Sequence, residues 1–321
     1  MRLSTSMIYQ QNMNGVLDAQ SEWQRIGAQM DSGKRVIVPS DDPLAASQLV
    51  GLNQAKSMNE QYGMARGYAR QSTSMEESVL QQVTNVMQNA TPVLVDGMSS
   101  GTKSDDDRAA IATQLESMRD QLINLANSTD GNGRYIFAGY KSDKVPFTKG
   151  ADSKVTYSGG DKALTQQVDA ARTMTVSHTG NQVFLSASSN PIKEPDGSVQ
   201  NDIFASLQKA IDALKTPLAG ADDATRQKVD ADLNSANRGL RNSLNNVSQV
   251  RAELGTQLNE LDSLDAIGDE NAITYKTRIS NVQDVDWTQA ATEYALRQVS
   301  LQASYKVFSD MQGMSLFQMA R

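Results

Sequence analysis

The chain has 321 residues, of which 39% are hydrophobic and 5% aromatic, so one large globular core would be thinly supplied while long packed helices would not. Its net charge of -7, from 30 Lys and Arg against 37 Asp and Glu with no basic run, speaks against a nucleic-acid partner. The absence of cysteine excludes disulfides, thiol catalysis and cysteine-zinc sites, and a single histidine excludes a multi-histidine metal site.

The first element is a helix with apolar residues at alternating steps of four and three: Tyr9, Met13, Val16, Gln20, Trp23, Gly27 and Met30. Glutamine and glycine interrupt the stripe, so this helix alone is marginal in water. The opening stretch, MRLSTSMIYQQNMNG, lacks the apolar run of a cleavable secretory peptide, and no segment reaches the roughly 20 apolar residues of a membrane span. These features suit a protein that stays in the cytosol or leaves by a route that reads an uncleaved N-terminus.

PSDDPLAAS then starts a second helix, with Asp42 as its cap and Pro43 in its first turn. Val79, Val83, Val86, Ala90 and Val93 form its stripe, which Pro92 is expected to kink or end. GMSSG, residues 97 to 101, matches a nucleophile elbow around Ser99 in letters alone. That motif requires a strand before it, and here a helix precedes, so an inter-helix loop is the reading. In KSDDDR, Ser104 caps a third helix with Asp107 at its third position, which accounts for the acidic triplet 105 to 107 without a cation. Its stripe is Ile111, Leu115, Met118, Leu122 and Leu125, and NSTDGNG ends it.

Residues 134 to 200 change character: RYIFAGYK, KVTYSGG, ALTQQVD, RTMTVSHTG and NQVFLSA read as short strands separated by Gly, Asp and Ser. His178, in SHTG, is read as a surface or turn residue, since no activated partner is identifiable for a general base. A helix follows over about 203 to 214. Val229, Leu233, Ala236, Leu240, Ser243, Val247, Val250, Leu254, Gln257, Leu261 and Leu264 then keep strict spacing, predicting a helix on the order of 50 Å laid against partner helices. The last stripe, Trp287, Ala291, Tyr294, Gln298, Leu301, Tyr305 and Phe308, matches the first one and runs on through Met311, Met314, Leu316 and Phe317. No catalytic, cofactor-binding or metal site is expected from these residues. An apolar stripe of low stability at each end of the chain predicts that Tyr9, Met13, Val16, Trp23, Met30, Trp287, Tyr294, Leu301, Tyr305 and Phe308 order against other subunits.

SGKRVIVPSDDPLAASQL (32 to 49), NLANSTDGNGRYIFAGYK (124 to 141), GLRNSLNNVSQVRAELGTQLNEL (239 to 261) and LQASYKVFSDMQGMSLF (301 to 317) resemble the bacterial flagellin superfamily, and within it the hook-associated proteins of the hook-filament junction. The resemblance implies a mainly α fold with a β-rich insertion: a helical rod carrying a β hairpin and a small outer β domain. The terminal helices would be disordered in the monomer and paired after assembly. Mapped here, the terminal domain would be 1-40 with 285-321, the rod 41-138 with 201-284, and the outer domain 139-200. It also implies a non-enzymatic structural subunit, exported by the flagellar type III apparatus and secreted to the flagellum. Its partners would be itself in a layer, the hook-associated protein FlgK, flagellin, and the chaperone FlgN on Met311, Met314, Leu316 and Phe317. The rival readings are a flagellin filament subunit, an exported metallopeptidase housed in the insertion, and a cytosolic coiled-coil scaffold.

Overall fold

A computed structural model describes residues 5-99 and 103-319, with side chains at all of these but 5, 6, 8 and 313-319. The chain divides into two units, residues 1-60 with 269-321 and residues 61-268, the division falling inside two long helices. In chain order the elements are α1 (Thr5–Ser32), α2 (Pro43–Gly97), α3 (Asp105–Ala126), a 3-10 helix (Ile136–Lys141), β1 (Phe147–Lys149), β2 (Val155–Tyr157), β3 (Leu164–Asp169), β4 (Arg172–Ser177), α4 (Gly180–Phe184), α5 (Ile203–Lys215), α6 (Asp223–Gln283) and α7 (Trp287–Met319).

The helix boundaries follow the capping chemistry. Asp42 Oδ1 accepts the Ala45 amide, which starts α2 where the Asp-Pro pair predicts. Ser104 and Asp107 form a reciprocal capping box at α3. Asp202 caps α5 by accepting the amides of Phe204 and Ala205. Pro92 does not end α2, which continues to Gly97. Its ring lies on an exposed face beside exposed Gln88, so the carbonyl that loses its partner can turn to water.

The core of the unit 61-268 is built by the predicted stripes. On α6, Leu233, Leu240, Val247, Leu254 and Leu261 are fully buried, while Gln257 and Leu264 sit half-buried at stripe positions, the Gln257 amide oxygen lacking a hydrogen-bond partner. They meet Val83 and Ala90 of α2, Leu115 and Leu122 of α3, and Phe204, Leu207 and Ile211 of α5 in one cluster, Leu261 apart. Leu80, Met87 and Leu94, one residue past the α2 stripe, are equally buried. The helix therefore faces partners across a stripe wider than two positions in seven. At Gly239 α5 comes so close that a Cβ would lie 2.1 Å from Ser206 Oγ, so glycine alone permits the approach.

Two of the five predicted strand runs are helical. RYIFAGYK forms the 3-10 helix, broken at Gly139, whose φ of 56° and ψ of -137° turn the chain sharply. NQVFLSA contains α4, where Thr179 and Gln182 form a capping box that ends the strand pattern. The remaining runs give two antiparallel hairpins. In one, Phe147 of β1 stands opposite Tyr157 of β2; in the other, β3 pairs with β4 with two register irregularities. Phe147, Phe184 and Phe204 stack at centroid distances of 5.1 to 5.9 Å around Phe137 and Tyr157, fastening the first hairpin and α4 to the helices.

The second hairpin packs Val168 and Met174 against Ala69 and Leu261. Arg66, itself buried, donates to Asp265 at 2.5 Å and to the Val168 carbonyl at 3.3 Å. Arg172 pairs with Glu260. His178 is not on the surface as its turn-like sequence suggests: it is buried beside Glu76, because the end of β4 is carried onto α2.

Candidate interaction surface

The site is the pair α1 and α7 within the unit 1-60 with 269-321. A short antiparallel bridge aligns the pair's inner end: Lys34 pairs with Asp284, the Arg35 amide donates to the Gln283 carbonyl at 2.6 Å, and the Val285 amide donates to the Gly33 carbonyl at 3.0 Å. Gly33 turns there with φ +67°. Val36, Ala45 and Leu49 pack beside Ile279 and Val282, which anchors this turn.

From the turn the helices run antiparallel with stripe facing stripe. Trp23 and Tyr294 contact at 5.5 Å between ring centroids, and Tyr9 and Phe308 at 5.3 Å. Gly27 leaves room for the Tyr294 ring, which a Cβ would only touch at 3.6 Å. Asn12 Nδ2 approaches Met311 Sδ at 3.0 Å, a weak polar contact. The predicted stripes are thus brought together in register. Val16 is buried; Met13, Trp23, Met30, Tyr294, Leu301, Phe308 and Met311 are half-buried; Tyr9, Trp287 and Tyr305 remain exposed. Met314, Leu316 and Phe317 lie outside the residues whose side chains are described.

The deepest residues are ones the strict stripe omits. Ile26 is 2% exposed and Ala290 is buried opposite it. Gln29 is buried as well, its amide donating to the Arg35 carbonyl at 2.7 Å. Ile26 stands three residues after Trp23, so a wider stripe of the kind that packs globular helices would have included it. Trp23 pays for its burial, since its indole N–H has no acceptor.

α7 is apolar on a second face as well. Leu296 and Val299 are each 63% exposed and Val307 is 57% exposed, and with Ala303 they form a line at steps of three, four and four. Leu17 on α1 is exposed in the same way. α7 also carries charged residues such as Arg297, Lys306 and Asp310, so it is not apolar all round, but exposed aliphatic residues in line along one helix mark a contact surface. Within its own unit α7 covers one face and leaves this second face bare. This line lies off the heptad seam, and its signal in the sequence is the number of apolar residues around the whole helix.

The motifs weighed for chemistry resolve into structure. Ser99 stands two residues past the end of α2, its amide bonded to the Asp96 carbonyl, so that a helix and not a strand leads into it. Asp105 accepts the amides of Leu218 and Ala219, which lower its pKa, and Asp107 is lowered by the Ser104 hydroxyl and amide. Among the described residues there is no group of three or more His, Asp or Glu able to hold a metal, and no helix is long and apolar enough to cross a membrane.

Comparison with known proteins adds a family. Residues 3-142 match the bacterial flagellin N-terminal helical region and residues 238-319 the C-terminal helical region. The chain is 55% identical to flagellar hook-associated protein 3 of Salmonella typhimurium and 54% identical to that of Escherichia coli, covering 100% of both chains in each case. Flagellin of Bacillus subtilis is 26% identical over 95% of this chain and 94% of its own. Among solved structures, Xanthomonas campestris FlgL superposes with a TM-score of 0.59 at 20% identity, over 71% of this chain and 99% of that one. The flagellar junction protein FlgL of Legionella pneumophila gives 0.59 at 16% identity, over 74% and 99%.

Proposed function

The chain belongs to the flagellar hook-associated protein 3, or FlgL, family, built on flagellin terminal helical regions, and from that premise we propose that it is the junction subunit between hook and filament. Its relatives are structural proteins of the flagellum, and the proposed role is accordingly assembly without catalysis. In this reading the chain adds as a layer on FlgK and presents on the far side a surface onto which flagellin polymerises.

The observation that carries the reading is the second apolar face of α7. Leu296, Val299 and Val307 are aliphatic and exposed in the isolated chain. Burying each fully is worth about 1.5 to 3 kcal/mol. Contact with neighbouring copies in a layer would supply that burial and offset the entropy of ordering a helix pair that is marginal by itself. The terminal domain, 1-40 with 285-321, is then the segment that orders on assembly, with Tyr9, Met13, Val16, Trp23 and Met30 meeting Trp287, Tyr294, Leu301, Tyr305 and Phe308. Export in an unfolded state by the type III apparatus fits a chain without cysteine. A chaperone of the FlgN kind would cover Met311, Met314, Leu316 and Phe317 before export, where methionine suits a change of contacts.

Seeded assembly tests the proposal. Purified chain is mixed with isolated hook-FlgK stubs and, separately, with filament fragments, and both are imaged by electron microscopy. A thin layer confined to the stubs that afterwards accepts flagellin is the expected result. Long filaments grown from this chain alone would make it a filament subunit instead, a reading that the lower identity to flagellin already disfavours.

A further inference from the structure

Glu76 of α2 is fully buried, and all the hydrogen bonds described for its carboxylate come from one residue. The His178 amide donates to both carboxylate oxygens at 3.2 and 3.3 Å, and His178 Nδ1 lies 3.0 Å from Oε1. The other ring nitrogen, Nε2, is 3.8 Å from Glu253 Oε1 of α6, whose side chain is half exposed and gives the imidazole an edge toward water. His178 sits between the end of β4 and Thr179, the cap of α4, so it stands where the second hairpin passes back into the core.

The other polar fastenings of this hairpin include Arg66 on the Val168 carbonyl, Arg172 on Glu260 and the Ser177 hydroxyl on the Ile136 carbonyl. Arginine does not lose its proton in a protein, so neither guanidinium changes with pH in the range where histidine does, and the hydroxyl does not titrate in this range either. The charges facing the ring are Glu76 from α2 and Glu253 from α6; the neighbouring Glu77 is paired with Arg251 of α6, and these two neutralise each other. A buried carboxylate opposite a neutral ring has lost the charge that compensates it, and such burial is costly.

We propose that Glu76, His178 and Glu253 form a proton-operated latch on the outgoing end of the β3-β4 hairpin, closed while the imidazole is doubly protonated and loosened when it becomes neutral. Burial alone would push the His178 pKa down, but the hydrogen bond and charge of Glu76, with the charge of Glu253, outweigh it and the net shift is upward. A raised folded-state pKa means the stabilisation is fully present below the unfolded value of about 6.5 and is lost as pH rises through the folded value. The latch is therefore closed in mildly acidic medium and opens toward alkaline pH.

Because His178 is the single histidine, one set of imidazole resonances reports it in the full chain. The test follows those resonances from pH 5 to 9 and measures hydrogen-deuterium exchange over residues 164-184, corrected for the intrinsic pH dependence of exchange. The expected result is a midpoint above about 6.5, with the opening equilibrium of this segment rising about tenfold for each unit by which the midpoint exceeds the unfolded value. His178→Gln should flatten the pH response of the segment. Glu253→Gln, at an exposed position that leaves the fold intact, should move the midpoint down and so decides the matter even if the histidine variant folds poorly. A midpoint at or below 6.5, a midpoint unmoved by Glu253→Gln, or a His178→Gln variant with the wild-type pH response would each overturn the latch.

Discussion

The α6 stripe and the α7 stripe have the same spacing and opposite fates. Every seventh residue from Leu233 to Leu261 on α6 is fully buried, because α2, α3 and α5 close around it within the unit 61-268. On α7, Leu301 and Phe308 are half-buried and Tyr305 is exposed, because α1 alone covers the stripe. Spacing at four and three says that a helix seam faces a partner; the number of partners decides how dry that seam becomes. In the first case the chain supplies them all. In the second, by the assembly reading above, neighbouring subunits supply the rest.

The sharpest way to break this contrast is to truncate one residue in each seam. Leu240→Ala should cost about 2 to 5 kcal/mol, the range for a leucine removed from a closed core. Leu301→Ala, half-buried, should cost roughly 1 kcal/mol or less in the monomer. Urea denaturation of the two variants checks the pair, and equal losses would mean that α7 is ordinary core. A middle-sized effect tests the capping that frames the closed unit: Ser104→Ala should destabilise α3 by about 1 kcal/mol, read in the same titrations.

The smallest effect on the isolated chain is expected from the bare face. Val299→Asp should leave the monomer within about 0.5 kcal/mol of wild type, while abolishing layer formation on hook-FlgK stubs. Normal assembly by this variant would remove the second face from the interface. Acid sharpens the comparison from another side. Asp105 and Asp107 have lowered folded-state pKa values, held down by the Leu218 and Ala219 amides and by Ser104 respectively. Their stabilisation is thus present above the unfolded value of about 3.9 and lost as pH falls through the folded one. Asp107→Asn should accordingly flatten the decline in melting temperature below about pH 4, followed by circular dichroism.

Much of the architecture is legible residue by residue. The α6 stripe predicts its burial down to the half-buried Gln257, and Asp42, Pro43, Ser104 and Asp107 mark helix starts because capping is local chemistry. The insertion is less legible. Its β-branched and aromatic runs predict strands at RYIFAGYK and NQVFLSA, but the turn at Gly139 and the Thr179 to Gln182 box impose helical turns. Local hydrogen bonds there outweigh weak strand propensity, which depends on having a neighbouring strand to pair with. For the candidate surface, the register of Tyr9 with Phe308 and Trp23 with Tyr294 is set by the bridge at Lys34 and Asp284, while the stripe residues themselves follow from the spacing. Ile26, Leu296, Val299 and Val307 do not, since they stand off the seam.

By itself, then, the amino-acid sequence determined which segments form the long helices, where α2 and α3 begin and which seam of each seeks a partner, because spacing and capping act within a few residues. The tertiary structure decided which apolar residues find cover inside the chain and which stay bare. It also decided that a histidine in a turn-like SHTG ends up buried against Glu76, 102 residues away. Burial and ion pairing depend on what the fold brings within a few ångströms, and no local pattern carries that distance.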